Sequence, residues 1–225
     1  MVLTPLAAWY LFCLGMAVGA TGLAITAYLS VSPRWLRWLL VLSGLFVVSR
    51  YLTMLLLASS TDPTRWWALR RCWLATSVGL TFPSLVAVDQ LVRHPAMSPK
   101  KLVKRFAPFL VIYLGVFLFG EYRLVPDELI GMRVTLGGFW RGVLLATQSV
   151  FVLGFVGLGG LLVKKLPVRR IRVALLGLLA AQLYLGCDGL VLGLGGWYFR
   201  PFLFSELLTL VAIWFALNTA RTQTL

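Results

Sequence analysis

The chain has 225 residues, of which 60% are hydrophobic and only 12% are charged, and its mean hydropathy is +0.90. A soluble domain carries roughly 25% charged residues because its surface faces water, so this composition excludes a soluble domain. The formal net charge of +14 would suggest a nucleic-acid partner in a soluble protein. Here the basic residues lie in short loops between apolar runs, which predicts anionic lipid at basic inner loops and no nucleic acid.

Seven apolar runs predict an all-α integral membrane protein, a multi-pass seven-helix bundle forming a single transmembrane domain of the inner (plasma) membrane. The predicted spans are 6–31, 38–59, 72–91, 102–122, 142–163, 173–195 and 201–220. Arg34 and Arg37 follow the first run and no basic residue precedes it, the reverse of a secretory signal peptide. Pro83 lies near the middle of the third span.

Loop charge predicts the orientation of the bundle. Residues 93–105 and 164–172 each carry five Lys or Arg side chains, and cytoplasmic loops collect these residues. The segment 121–141 mixes both signs and predicts an outer loop. The N-terminus is therefore predicted outside and the C-terminus inside. The outer loop 62–71 fits this topology least well, because it carries Arg65, Arg70 and Arg71.

Charged residues inside the spans predict a buried polar cluster of Arg50, Tyr184, Asp188 and Glu206. Each charge costs roughly 2.5–3.5 kcal/mol at a helix centre, so an unpaired one would be a liability. Arg50 lies roughly 16 Å into its predicted helix, and the two carboxylates lie in the outer halves of theirs. We therefore expect Arg50 to pair with Asp188 or Glu206. The cluster is either an outward-facing ligand pocket or an interhelical clamp, and the sequence leaves both open.

Asp89 is the fourth intramembrane charge, and it precedes Arg93 by four residues. This spacing predicts a local ion pair at the end of the third helix. The glycines within or beside the fifth and sixth spans predict close packing of these two helices. They are Gly154, Gly157, Gly159, Gly160, Gly189, Gly193, Gly195 and Gly196.

Several chemistries lack the residues that they need. His94 is the one histidine, which argues against haem or zinc held by paired histidines. The seventh span has no lysine for a retinal Schiff base, and the three cysteines form no CxxC pair. We find no catalytic motif. The sequence thus predicts no enzyme, no catalytic residue, no metal and no cofactor.

The order of several landmarks resembles the seven-transmembrane N-terminal sensor region of bacterial and archaeal sensor histidine kinases. The landmarks are Trp66-Trp67-Ala68-Leu69-Arg70, Pro83, the basic loop 100–105, Gly137-Gly138-Phe139-Trp140, Arg169 to Arg172, Pro201-Phe202-Leu203-Phe204 and Trp214-Phe215-Ala216-Leu217. The resemblance covers nearly the whole chain and implies a sensing module. Five residues follow the last predicted span, so the resemblance implies a sensor without the kinase.

These observations favour a non-enzymatic seven-helix membrane module, a receptor-like sensor or accessory subunit in signal transduction or a membrane complex. Such a module acts through another membrane protein. The alternative is a small-solute membrane transporter, in which Pro83 and the buried charges would form a midplane site. The absence of an internal repeat argues against the transporter, and an intramembrane lipid-modifying enzyme would need a cluster of His, Asp or Ser that the sequence does not provide.

Overall fold

The computed structural model describes residues 5–59, 63–93, 98–127, 131–166, 168–193 and 203–222. These residues are mostly helical. In chain order the elements are α1 Pro5–Tyr28, α2 Arg34–Ser59, a 3-10 helix Pro63–Leu74, α3 Thr76–Gly79, α4 Thr81–Val92, α5 Pro99–Phe119, β1 Tyr122–Asp127, β2 Gly131–Leu136, α6 Gly138–Lys165, α7 Arg169–Gly193 and α8 Phe204–Arg221.

Six stretches of the described chain are long and apolar enough to cross a membrane, as a multi-pass membrane protein requires. They are Ala7–Tyr28, Arg34–Ser59, Trp67–Val92, Pro99–Phe119, Gly138–Lys165 and Arg169–Val191. The helix α8 is not one of the six. It is 18 residues long and includes Glu206 and Arg221, and residues 201–202 of the predicted seventh span lie outside the described residues.

The third predicted span is present but interrupted. It consists of the 3-10 helix, α3 and α4, with Leu80 between the two α-helices. Pro83 is the third residue of α4 rather than the middle of a continuous helix. The first amides of a helix have no partner within it, so a residue without an N–H is tolerated there.

The segment 121–141, predicted as an outer loop, contains two antiparallel strands in which Tyr122 pairs with Leu136 and Asp127 with Gly131. Met132, Val134 and Leu136 are apolar residues at every second position, which is the period of a strand. The prediction of a loop overlooked this pattern. Tyr122 is buried, and its hydroxyl donates to the Val116 carbonyl at 3.0 Å. Burial raises the pKa of Tyr122 to about 12, so the phenol is protonated and can donate at neutral pH.

The buried side chains of all the long helices form one core. Several glycines allow helices to approach closely there, and the approach is tightest at two of them. A Cβ on Gly159 of α6 would collide with the Leu179 side chain of α7, and a Cβ on Gly79 of α3 would collide with Val47 of α2. The predicted packing of the fifth and sixth spans therefore holds at Gly159. It is wrong for Gly154, Gly157 and Gly160, because a Cβ on any of them would meet no atom within 4 Å.

A candidate buried polar site

Arg50 lies about 24 Å along α2 from its start at the usual helical rise, and only 2% of the residue is exposed. Its Nη2 lies 2.8 Å from Glu206 Oε1, and its Nε donates to Glu206 Oε2 at 3.3 Å. Both carboxylate oxygens of a fully buried Glu206 are therefore engaged by one edge of the guanidinium. Such bidentate pairs are among the strongest hydrogen-bonded arrangements in proteins.

The interrupted third span provides the other partner of Arg50. Nη1 of Arg50 donates to the backbone carbonyl of Trp73, and the guanidinium carbon lies 5.4 Å from the centre of the Trp73 ring. Trp73 stands at the end of the 3-10 helix. Irregular backbone at membrane depth is tolerated where its polar groups are satisfied inside the protein, and Arg50 satisfies this one.

Glu206 lies in the first turn of α8, where the positive end of the helix dipole stabilises a carboxylate. The helix begins after Leu203, which is buried and has a left-handed φ of 57°. A leucine in that region is strained by about 1–2 kcal/mol. Ser205 is the second residue of α8. Its hydroxyl donates to Asp188 Oδ2 of α7 at 2.6 Å.

Arg50 was predicted to pair with Asp188 or Glu206, and the structure pairs it with Glu206. Asp188 joins the cluster through Ser205, and its side chain is partly exposed. Tyr184 is 40% exposed and lies outside the buried cluster. Tyr184 shares the helical face of Asp188, four positions later, but that face of α7 extends beyond the protein interior. Binding of a ligand at this cluster stays a prediction.

The predicted ion pair between Asp89 and Arg93 is not formed. Arg93 is the residue after the end of α4 and has a φ of 45°. The i, i+4 geometry requires both residues to be helical, and Arg93 has left the helix. Its side chain donates instead to the carbonyls of Gln90 and Ala220, each at 3.3 Å.

A second polar layer was missed by the sequence reasoning. Gln148 of α6 donates to Ser77 at 3.0 Å, and Gln182 of α7 donates to Ser84 at 2.6 Å. The two glutamines border a cavity of about 20 Å³, enough for one water molecule. The signal was available, since an amide inside an apolar span needs a partner on another helix.

The geometry of the Arg50 site is that of a closed junction. Arg50 and Glu206 are 2% and 0% exposed, so water does not reach the pair, and their groups are engaged with each other and with Trp73. Within the described ranges no three His, Cys, Asp or Glu side chains gather as metal ligands would. The site connects α2, the 3-10 helix and α8, and Ser205 extends it to α7.

No protein family, curated protein or solved structure matches the chain. The resemblance to the sensor region of histidine kinases therefore stays a prediction.

Proposed function

We propose that the protein is a non-enzymatic seven-helix membrane module, a receptor-like sensor or accessory subunit that acts through a partner protein. The closed ion pair carries this proposal. A site that must admit a substrate needs access, whereas Arg50 and Glu206 are sealed from water and tie separate elements together. The interior is thus suited to holding the helices in one arrangement. We infer that the protein acts through contacts on its outer surface.

The burial of α8 supports counting it as the seventh span. It contacts α1, α4 and α7, and its charge within the bundle, Glu206, is neutralised by Arg50. A helix enclosed by other helices needs less hydrophobicity than one that faces lipid. Its 18 residues span about 27 Å at the usual rise, close to the thickness of the hydrocarbon core of roughly 30 Å.

In the proposed topology the N-terminus is outside and the C-terminus is in the cytoplasm. Arg70 of the outer 3-10 helix lies 3.9 Å over the ring of Trp67, a contact that suits the membrane interface. A fluorescent protein fused after Leu225 should fluoresce, and alkaline phosphatase fused at the same position should be inactive. Active phosphatase with a dark fluorescent fusion would contradict the topology.

The exposed flank of α6 is the surface that we propose for the partner. Val150, Leu153, Leu158 and Leu161 are 60–71% exposed there. Gly157 lies among them with open space beside it, and small residues in such a face let a second helix approach closely. Within the described residues, α5 and α6 are the least buried of the six candidate spans. The rest of the described chain therefore leaves this flank uncovered.

We expect the protein to copurify with at least one other membrane protein in mild detergent at native expression level. Gly157→Leu should reduce the copurified partner at least about tenfold, since a side chain there would cost a close helix contact more than about 1.4 kcal/mol. Gly15→Leu is the matched control, because Gly15 is an exposed glycine of α1 with equally open surroundings. An unchanged partner yield with Gly157→Leu would reject the α6 flank as the contact.

The interrupted third span favours a transporter as the second candidate. Transporters place substrate sites at broken helices near the midplane, and here the broken span provides the Trp73 carbonyl to Arg50. A solute-flux assay in lipid vesicles distinguishes the two functions. A purified, monomeric protein that moves a solute without any partner would establish the transporter and reject the module.

A further inference from the structure

A lateral groove between α4, α5 and α6 has a volume of about 490 Å³ and is almost wholly apolar. Leu85 and Val88 of α4, Phe109 of α5, and Phe151, Gly154 and Leu158 of α6 line it. Its volume falls within the range of roughly 300–1,000 Å³ that is typical of small-molecule sites. The groove opens between helices that face the membrane, so its neighbours outside the chain are lipid tails.

Aromatic rings pack against one another along the walls of this groove. Phe109 contacts the ring of Phe151 edge-on at 5.7 Å, and Phe151 stacks on Phe155 at 5.6 Å. Gly154 forms part of the open side, and a Cβ there would meet no atom within 4 Å. The groove is therefore present in the folded chain, and its wall has no side chain at Gly154.

One end of the groove is polar and lies beside a basic segment of α5. Arg105 and Asp89 line it there, and Lys100, Lys101 and Lys104 stand on the first two turns of α5 beside Arg105. The four cations of α5 outnumber the single carboxylate. Such an arrangement fits a ligand with an apolar tail and an anionic head, because basic pockets between membrane helices attract anionic lipid head groups.

We propose that this groove is a binding site for an anionic phospholipid. One acyl chain lies between α5 and α6 against the phenylalanines, and the phosphate is held by Arg105. In the proposed topology the lipid comes from the cytoplasmic leaflet. The site goes beyond a general attraction of basic loops to the bilayer, since the groove fixes where one lipid sits. Val150 and Leu158 border both the groove and the α6 flank that is proposed for the partner, so the two sites are distinguished by separate variants.

The test measures bound lipid by native mass spectrometry after the full chain is released from nanodiscs of equal phosphatidylglycerol and phosphatidylcholine. We expect one phosphatidylglycerol per chain, retained over phosphatidylcholine. Gly154→Leu fills the groove and should reduce the bound lipid at least tenfold. Gly157→Leu is the matched control, because Gly157 lies on the same helix in open space and does not line the groove.

A second pair of variants tests the head group. Arg105→Gln should abolish the preference for phosphatidylglycerol over phosphatidylcholine. Arg34→Gln removes the same charge from an exposed arginine at the start of α2, which does not line the groove, and should keep the preference. Equal binding of both lipids by the unmodified chain, or undiminished lipid on Gly154→Leu, would overturn the proposal. The proposal would also be overturned if a second copy of the chain or another protein, instead of a lipid, occupied the groove and were displaced by Gly154→Leu. Loss of the partner with Gly157→Leu while lipid is retained separates this site from the proposed function.

Discussion

Replacing Arg50 with alanine should lower the free energy of unfolding by about 3–5 kcal/mol, the usual cost of breaking a buried ion pair by removing one member. The substitution leaves the Glu206 carboxylate in the protein interior without the guanidinium that engages both of its oxygens. It also removes the donor to the Trp73 carbonyl. Both losses occur where water cannot compensate, because the pair is almost completely buried.

Unfolding by SDS in mixed micelles, followed by tryptophan fluorescence, measures this effect. Arg34→Ala is the control, since Arg34 is an exposed arginine at the start of the same helix. Arg34→Ala should change the free energy of unfolding by no more than about 0.5 kcal/mol, as is usual for surface positions. If Arg50→Ala is as stable as Arg34→Ala, then the ion pair does not hold the bundle together.

Gly79→Ala should destabilise the protein by about 1–3 kcal/mol, the typical cost of overpacking a filled interior. The new Cβ would collide with the Val47 side chain and would lie 3.0 Å from the Ser43 carbonyl oxygen. The backbone atom cannot rotate away, so α2 and α3 must separate. Their separation would also disturb Arg50, which is one helical turn beyond Val47.

The same unfolding assay applies to Gly79→Ala, with Gly115→Ala as its control. Gly115 lies in α5, and a Cβ there meets no atom within 4 Å. Alanine has the higher helix propensity, so this control should be neutral or slightly stabilising. A Gly79→Ala variant that behaves like the control would show that α2 and α3 are not in the close contact described here.

The sequence predicted that Arg50 pairs with Asp188 or Glu206, because the membrane makes an isolated charge costly, but it could not choose between the two carboxylates. Hydrocarbon leaves few alternatives to a partner inside the protein, so three intramembrane charges were enough to limit the choice. The spans were predictable for the same reason, since six of the seven runs are helices long and apolar enough to cross a membrane. In both cases the solvent imposes the structure more strongly than local propensity does.

Other features depend on contacts that no local pattern contains. The break at Leu80 separates α3 from α4, although the third span reads as one apolar run. The carbonyl of Trp73 becomes a partner of Arg50 only because the 3-10 helix lies beside α2. The position of Tyr184 depends on how α7 is rotated about its axis, and helical spacing gives the shared face but not the direction in which it points.

The most direct measurement of the central claim, that the buried pair is a clamp rather than a ligand or transport site, uses the double variant Arg50→Met/Glu206→Leu. Replacing a buried ion pair with apolar residues of similar volume is often neutral or stabilising. The account predicts that the double variant recovers most of the stability lost in Arg50→Ala and copurifies the same partner as the unmodified chain. A double variant that is folded and stable but has lost its partner, or has lost a solute flux that the unmodified protein supports, would contradict the clamp.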